Sequence, residues 1–371
     1  MHDEPTAPAP DDATDGNDAV APAPSRRSIT LSVTMLASAV LLAVLGLLPA
    51  PYAVSGPGPT RNTLGDHDGE PLITISGAET YDSTGELLLT TVSTTGGPGY
   101  PSNLVGVVRG WLDRATAVRP VEVVFPPDVS QDQLDQSNEA AMVSSQENAT
   151  VSALEELGYT VPATLTIVGT TEDSGATGIV QEDDVLVAID GTPLTTYSQL
   201  VETLAATEPG STVRLGVLRD GQPVDLDVVT GEREGGGSQL GVFIDPRFDF
   251  PVDVSIKIDD IGGSSAGTMF ALGIMDKLTP ADEANGQVIA GTGTIDSVGE
   301  VGPIGGIQQK LAGAERDGAT WFLAPDTNCD EVVGHVPDGL RVVKISTLHE
   351  AWESIIAIGE GRGDGLPTCT S

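Results

Sequence analysis

Lysine is scarce in this chain: four in 371 residues, Lys257, Lys277, Lys310 and Lys344, and none directly follows a glycine. A phosphate-cradling loop of the form Gly-x-x-x-x-Gly-Lys-Ser/Thr is therefore absent, and with it the usual route to ATP-driven work. Basic charge is thin throughout, 17 Lys and Arg against 54 Asp and Glu, for a formal net charge of −37. Binding nucleic-acid phosphates needs a basic face that displaces counterions, so nucleic acid is excluded as a partner. Cys329 and Cys369 are the only cysteines, too few for a multi-cysteine zinc site or a disulfide-dense miniprotein. No residue pattern asks for a metal or a cofactor. Aromatics make up 4% of the chain, so its cores are mostly aliphatic. What is present, 39% hydrophobic residues with 45 Gly and 26 Pro, fits packed cores joined by many turns. The length implies two or more domains.

Residues 1–27 hold Ala, Pro and acids with almost no large apolar side chain, which reads as a disordered cytoplasmic tail. From Ser28 to Thr60 there is no charge, and the 21 residues Ser28–Leu48 would make a helix about 31 Å long. That spans a bilayer, and a transmembrane anchor is assigned to 28–50. Arg26 and Arg27 precede it, so the positive-inside rule keeps the N-terminus cytoplasmic and puts the rest outside, as a single-pass protein of the cell membrane. A cleaved signal peptide competes, with Ser25-Arg26-Arg27 as a faint twin-arginine signal. The span is long for that role, and Leu48-Pro49-Ala50-Pro51 offers no small-x-small cleavage site.

Residues 51–159 form an extracytoplasmic β-rich and helical segment with no recognisable chemistry. Its expected elements are strands at Leu72–Ser76 and Glu86–Ser93 joined as a hairpin through Asp82–Gly85, and a strand at Val121–Phe125. A helix is expected near 131–157, with Met142, Ala149, Ala153 and Leu157 on one face and Gly158 as its stop. Residues 160–234 follow as a compact module with strands at Leu165–Val168, Val185–Ile189, Val213–Leu218 and Val224–Val229 and a short helix at Tyr197–Ala205. Ser174-Gly175-Ala176 and the run Glu182-Asp183-Asp184-Val185-Leu186-Val187-Ala188-Ile189-Asp190-Gly191 resemble a PDZ domain of the bacterial protease-associated kind. The resemblance implies capture of extended or C-terminal peptide segments by strand addition. Gly158-Tyr159 stands in for the carboxylate-binding Gly-Leu-Gly-Phe loop of that family.

Beyond the glycine joint Gly235-Gly236-Gly237, residues 238–360 alternate strands (Val252–Ile258, Gln287–Ile295, Trp321–Ala324, Arg341–Ile345) with helices (Ala266–Leu278, Ile307–Arg316 and Leu348–Ile358 behind Ser346). Residues 361–371 form a C-terminal tail. The fold class is thus multidomain α+β, with an α/β last domain. In Asp259-Asp260-Ile261-Gly262-Gly263-Ser264-Ser265-Ala266-Gly267 a strand enters a buried helix through small residues. Backbone N–H groups at such a start can receive an oxyanion, and a serine there can be a nucleophile or only an N-cap. In Ile307-Gln308-Gln309-Lys310-Leu311 the lysine lies on or beside an apolar stripe. Burial would lower its pKa and make it a general base; alternatively its stem lies along apolar surface and its charge reaches water.

Together these segments resemble the proteolytic domain of Lon proteases. Ser264-Ser265-Ala266-Gly267 matches the nucleophile motif, and Gly299–Lys310, with Pro303-Ile304-Gly305-Gly306 inside it, matches the lysine motif. With the anchor and the PDZ-like module, the architecture is similar to membrane-anchored, PDZ-containing Lon-like serine proteases. The resemblance implies Ser265 as nucleophile, Lys310 as base, Ser264 as the capping residue, and Thr292 or Thr294 as the group that holds the lysine. It also implies polypeptide substrates, ATP-independent cleavage and a homo-oligomer. A Ser/His/Asp triad with His335 or His349 is the rival mechanism, and an inactive membrane-tethered PDZ adaptor the rival function. Lys277 is expected to complement its helix C-terminus. Cys329 and Cys369, outside the cell, would contribute roughly 3 to 4 kcal/mol if bonded.

Overall fold

The computed structural model describes residues 26–127, 129–233, 236–258 and 261–370. Residues 1–25 of the expected tail, Gly235 of the joint and Asp259-Asp260 lie outside the described residues. Helix α1 (Arg26–Leu47) is 22 residues long, about 33 Å. Among the described residues it is the one helix whose length and composition suit a membrane span or a signal sequence, with a mean hydropathy of 1.7 over Arg26–Val44. It starts two residues earlier than the assigned anchor and stops three short of it, where Pro49 intervenes.

In chain order there follow β1 (Tyr52–Asn62), β2 (Ile73–Ser76), β3 (Glu86–Thr95), α2 (Leu104–Leu112), β4 (Ala117–Pro120) and α3 (Gln131–Glu156). Next come β5 (Ala163–Thr170), β6 (Val185–Ile189), α4 (Tyr197–Ala205), β7 (Thr212–Arg219), β8 (Gln222–Val229) and β9 (Val242–Phe248). The last group is β10 (Asp253–Ile256), α5 (Gly267–Leu278), β11 (Val288–Gly291), β12 (Thr294–Ile295), β13 (Val301–Gly302), α6 (Ile307–Arg316), β14 (Trp321–Pro325), β15 (Arg341–Ile345) and α7 (Leu348–Gly359).

One six-stranded sheet runs β15-β14-β11-β3-β1-β4. Its first four strands are parallel and the last two join antiparallel. Strands from residues 51–159 and from residues beyond 286 therefore share one sheet, with the PDZ-like module between them in sequence. Successive side chains of a strand point to opposite faces. Leu87 and Leu89 enter a core with Phe270 and Met142, while Leu88 enters another with Ile307 and Phe322. Helices α3, α5 and α7 cover the first face and α6 the second. Every residue of α5 from Gly267 to Asp276 is buried, as an almost wholly apolar helix requires. A second, antiparallel sheet runs β8-β7-β6-β5-β9. Its edge strand, Val242–Phe248, falls in the sequence range first given to the last domain.

Several local expectations are corrected. β2 and β3 are not a hairpin: β2 pairs with β10 instead. Ser83 donates its hydroxyl to Asp282 at 2.9 Å and the Thr84 N–H donates to the same carboxylate, so the turn residues pin a loop rather than close a ladder. Val121–Val124 is one helical turn, and the strand lies just before it at Ala117–Pro120. β-Branched propensity at the valines yields to the register of β4 against β1. Thr347, not Ser346, caps α7, accepting from Glu350 N–H. Cys329 and Cys369 are bonded, tying the tail to the segment after β14.

Candidate active site

Three chain segments converge beside the first sheet: 261–266 ahead of α5, Thr292-Gly293 between β11 and β12, and the first turns of α6. Two glycines make the approach possible. A Cβ on Gly267 would stand 2.8 Å from both Ile295 Cγ2 and Ser145 Oγ. Gly306, N-cap of α6, has φ 72°, a left-handed conformation that costs glycine least. A Cβ there would meet Val92 Cγ2 at 2.8 Å.

Lys310 Nζ lies 2.8 Å from Ser265 Oγ and 2.8 Å from Thr292 Oγ1. The Thr292 hydroxyl donates its one proton to the Ser265 carbonyl at 2.9 Å, so towards Lys310 it offers a lone pair. The lysine donates N–H to Thr292, and when neutral its own lone pair is left for the Ser265 hydroxyl. Lys310 is 2% exposed, and burial, which disfavours the ammonium, lowers its pKa to about 7. The backbone N–H groups of Ser265 and Ala266 donate to nothing among the described residues. They sit at the start of α5, where the helix dipole favours negative charge. A cleft of about 300 Å³ opens onto the pair, walled by Pro59 of β1, Thr91–Ser93 of β3 and Gly305.

The structure brings Ser265, Lys310 and Thr292 together. Thr294 is elsewhere, its carbonyl accepting from Thr268 Oγ1. Ser264 is not a cap: Ala266 holds that position without a side-chain bond, and Ser264 contributes its carbonyl, which accepts from Ser145 Oγ at 3.1 Å. His335 is exposed against its own loop and His349 pairs with Glu156 at 2.7 Å; among the described residues Ser265 Oγ is bonded by Lys310 and by neither histidine. Lys277 Nζ donates to the Leu64 carbonyl at 3.5 Å, and Lys257 pairs with Glu70. The sequence reading missed α3 as a site element. Besides Ser145, Asn138 O accepts from Gly263 N–H at 3.0 Å and Asn148 Nδ2 donates to Ile295 O at 3.3 Å. Their spacing of three to seven residues, polar within a run that also carries Met142 and Ala149, was the available signal.

A second concavity lies between α4 and the edge strand β9, lined by Leu200, Leu204 and Leu240–Ile244. At its end the N–H groups of Leu240 and Gly241 donate to nothing among the described residues. The Gly241 carbonyl is held by Thr171 N–H at 2.9 Å and Ser174 Oγ at 3.0 Å. Gly158-Tyr159 is not part of this groove: Gly158, at φ 84°, ends α3, with Tyr159 N–H bonded to Leu154 O. The sequence signal lay instead in Leu240-Gly241-Val242-Phe243, after the other strands rather than before them. One wall of the groove is Asp296–Val298, the turn from β12 to β13. Asp184 of the quoted acidic run is structural, gripped by Arg219 through two bonds of 2.8 and 2.7 Å.

Residues 255–357 match the family model of the Lon protease (S16) C-terminal proteolytic domain, and residues 154–230 that of the PDZ domain. The chain therefore carries a PDZ domain joined to a Lon-type proteolytic domain. Lon protease 1 of Bacillus subtilis (strain 168) is 31% identical over 159 residues, covering 41% of this chain and 19% of that protein. Lon protease 2 of Herpetosiphon aurantiacus is 29% identical over 157 residues, covering 40% and 19%. The periplasmic pH-dependent serine endoprotease DegQ of Escherichia coli (strain K12) is 39% identical over 49 residues, covering 13% and 11%. The chain spans about a fifth of the length of these Lon proteases.

Proposed function

We propose that this protein is a serine endopeptidase with a Ser265/Lys310 dyad, anchored in the membrane by α1 and active on extracytoplasmic polypeptides without nucleotide. The reading rests above all on one observation, the 2.8 Å separation of Lys310 Nζ and Ser265 Oγ around a lysine that is 2% exposed. The neutral amine takes the Ser265 hydroxyl proton as Oγ bonds to the peptide carbonyl carbon. The Ser265 and Ala266 N–H groups receive the resulting oxyanion. Collapse breaks the C–N bond while Lys310 returns the proton to the leaving amine. Water, deprotonated by the same lysine, then hydrolyses the ester and frees Ser265. Thr292 positions Lys310 throughout.

In this reading the groove between α4 and β9 takes the substrate's C-terminal segment as an added strand, its carboxylate on the Leu240 and Gly241 N–H groups. The folding units follow the sheets: an anchor at 26–47, a proteolytic fold made of 51–159 and 253–360, and a PDZ module at 160–248 inserted between its halves. Homo-oligomeric assembly belongs to the same proposal, tested by the native mass of the detergent-solubilised chain.

The test is labelling with a fluorophosphonate probe together with peptide cleavage in the absence of ATP. Wild type is expected to label and cleave, and Ser265→Ala and Lys310→Ala to do neither. Undiminished cleavage by Ser265→Ala removes the proposal, as does an absolute need for ATP for its nucleotide-independent part.

A further inference from the structure

Beyond Leu48, thirteen large apolar side chains are exposed among the described residues, and seven of them lie between Tyr100 and Val123. Helix α2 carries most of them. At 100° per residue, Leu104, Val105, Val108, Trp111 and Leu112 fall in one stripe about 120° wide, whereas Val107 and Gly110 turn inward and are buried. A stripe of this kind left facing water marks a docking surface.

The position of α2 says what covers it. Pro49, two residues past the end of α1, bridges to Asn103 at the start of α2, and Ala50 N–H donates to Ser102 O. A Cβ on Gly46 would stand 2.8 Å from Val105 Cγ2, so α2 lies beside the last turn of α1. With α1 about as long as a bilayer core is thick, that turn sits at the membrane surface, and so does α2. The chemistry agrees. Tyr100 and Trp111 are 75% and 62% exposed, and such amphipathic rings concentrate at the headgroup level. Arg109, Arg114 and Arg119 outnumber Asp113 and Glu122 here, in a chain whose net charge is −37, which suits anionic lipid.

We propose that α2 is an interfacial helix whose Leu104–Leu112 stripe lies in the outer leaflet of the membrane that α1 spans, holding the proteolytic fold against the lipid surface. The proposal rests on reading α1 as an uncleaved anchor.

The test uses the full chain reconstituted into phosphatidylglycerol/phosphatidylcholine vesicles with acyl-brominated lipid. Trp321 and Trp352 are 5% and 8% exposed, so the emission lost in Trp111→Phe isolates Trp111. Brominated lipid is expected to quench that component at least about twofold, and aqueous iodide to leave it nearly unchanged. Val108→Glu with Leu112→Glu should reverse both responses and leave short-peptide cleavage as in wild type. Quenching by iodide and not by brominated lipid overturns the proposal. So does protection from both quenchers together with disulfide cross-linking of Leu112→Cys between copies, which would assign the stripe to a second chain. Alkaline carbonate extraction is read separately: a chain released by carbonate defeats the anchor reading itself, whereas a chain that stays with the membrane while Trp111 faces water defeats only the docking of α2.

Discussion

Ser145, midway along α3, donates its hydroxyl to the carbonyl of Ser264 at 3.1 Å, one residue before the proposed nucleophile. With Asn138 O accepting from Gly263 N–H, this fixes the loop that aims Ser265 from a helix containing neither motif. A single such bond is worth about 1 kcal/mol. Ser145→Ala is expected to lower kcat about threefold to tenfold with KM unchanged, since the bond orients the reacting oxygen and touches no substrate. Steady-state kinetics on a short peptide measure this. A rise in KM at constant kcat would make Ser145 part of the substrate cleft instead.

The pH–rate profile should follow the amine of Lys310. Only the neutral form is a base, and burial brings its pKa to about 7. In the free enzyme kcat/KM should climb with pH, about one-tenth of its plateau at pH 6 and level above pH 8. Thr292→Ser should keep the profile, because the hydroxyl remains. Thr292→Val removes the acceptor for the lysine N–H and the donor to Ser265 O, and should cost more than tenfold in kcat. A flat profile from pH 6 to 9 in wild type speaks against Lys310 as the base.

How much of this was legible in the sequence differs element by element. Ile307–Arg316 and Arg341–Ile345 were readable to the residue, because an amphipathic stripe and a bounded β-branched run each leave a local trace. The convergence of Ser265 and Lys310 was readable only through paired motifs, since nothing local encodes a contact across 45 residues. Thr292 and Thr294 stayed equivalent until the path of the backbone after Gly291 separated them. The shared sheet could not be read at all: β3 pairs with β11 across just over 200 residues, Glu86 opposite Val288, and the intervening module hides the continuity. The α4–β9 groove was missed because its Leu-Gly loop follows the other strands of the module, whereas it was sought ahead of them.

Filling that groove should separate capture from chemistry. Val201 lies on the face of α4 that lines it, and Val201→Arg would occupy the channel in which a peptide strand must lie beside β9. Cleavage of an unfolded polypeptide with a free C-terminus is expected to fall about tenfold in kcat/KM, roughly 1.4 kcal/mol of binding, while a short internal peptide is cut as before. Amidating the polypeptide's C-terminus should mimic the substitution. Equal losses on both substrates would mean that the groove serves the fold and not the ligand.

Asp276 gives the last test, one of stability. It is 2% exposed near the end of α5, and its Oδ2 finds no hydrogen-bond partner among the described residues. Burial first, then the charge of Asp282, raises its pKa to about 6. The native state thus holds this proton more tightly than the unfolded chain, whose aspartates titrate near pH 4. Stability should fall as pH rises from about 4 through 6, and the deficit should be complete above that window. A shift of about two units corresponds to at most about 3 kcal/mol. Asp276→Asn carries no charge to desolvate and should melt higher than wild type at pH 7.5, with the gap closing towards pH 4. Thermal unfolding at both pH values decides it: a variant that melts lower than wild type at pH 7.5 would mean that the native fold depends on the carboxylate in its charged form.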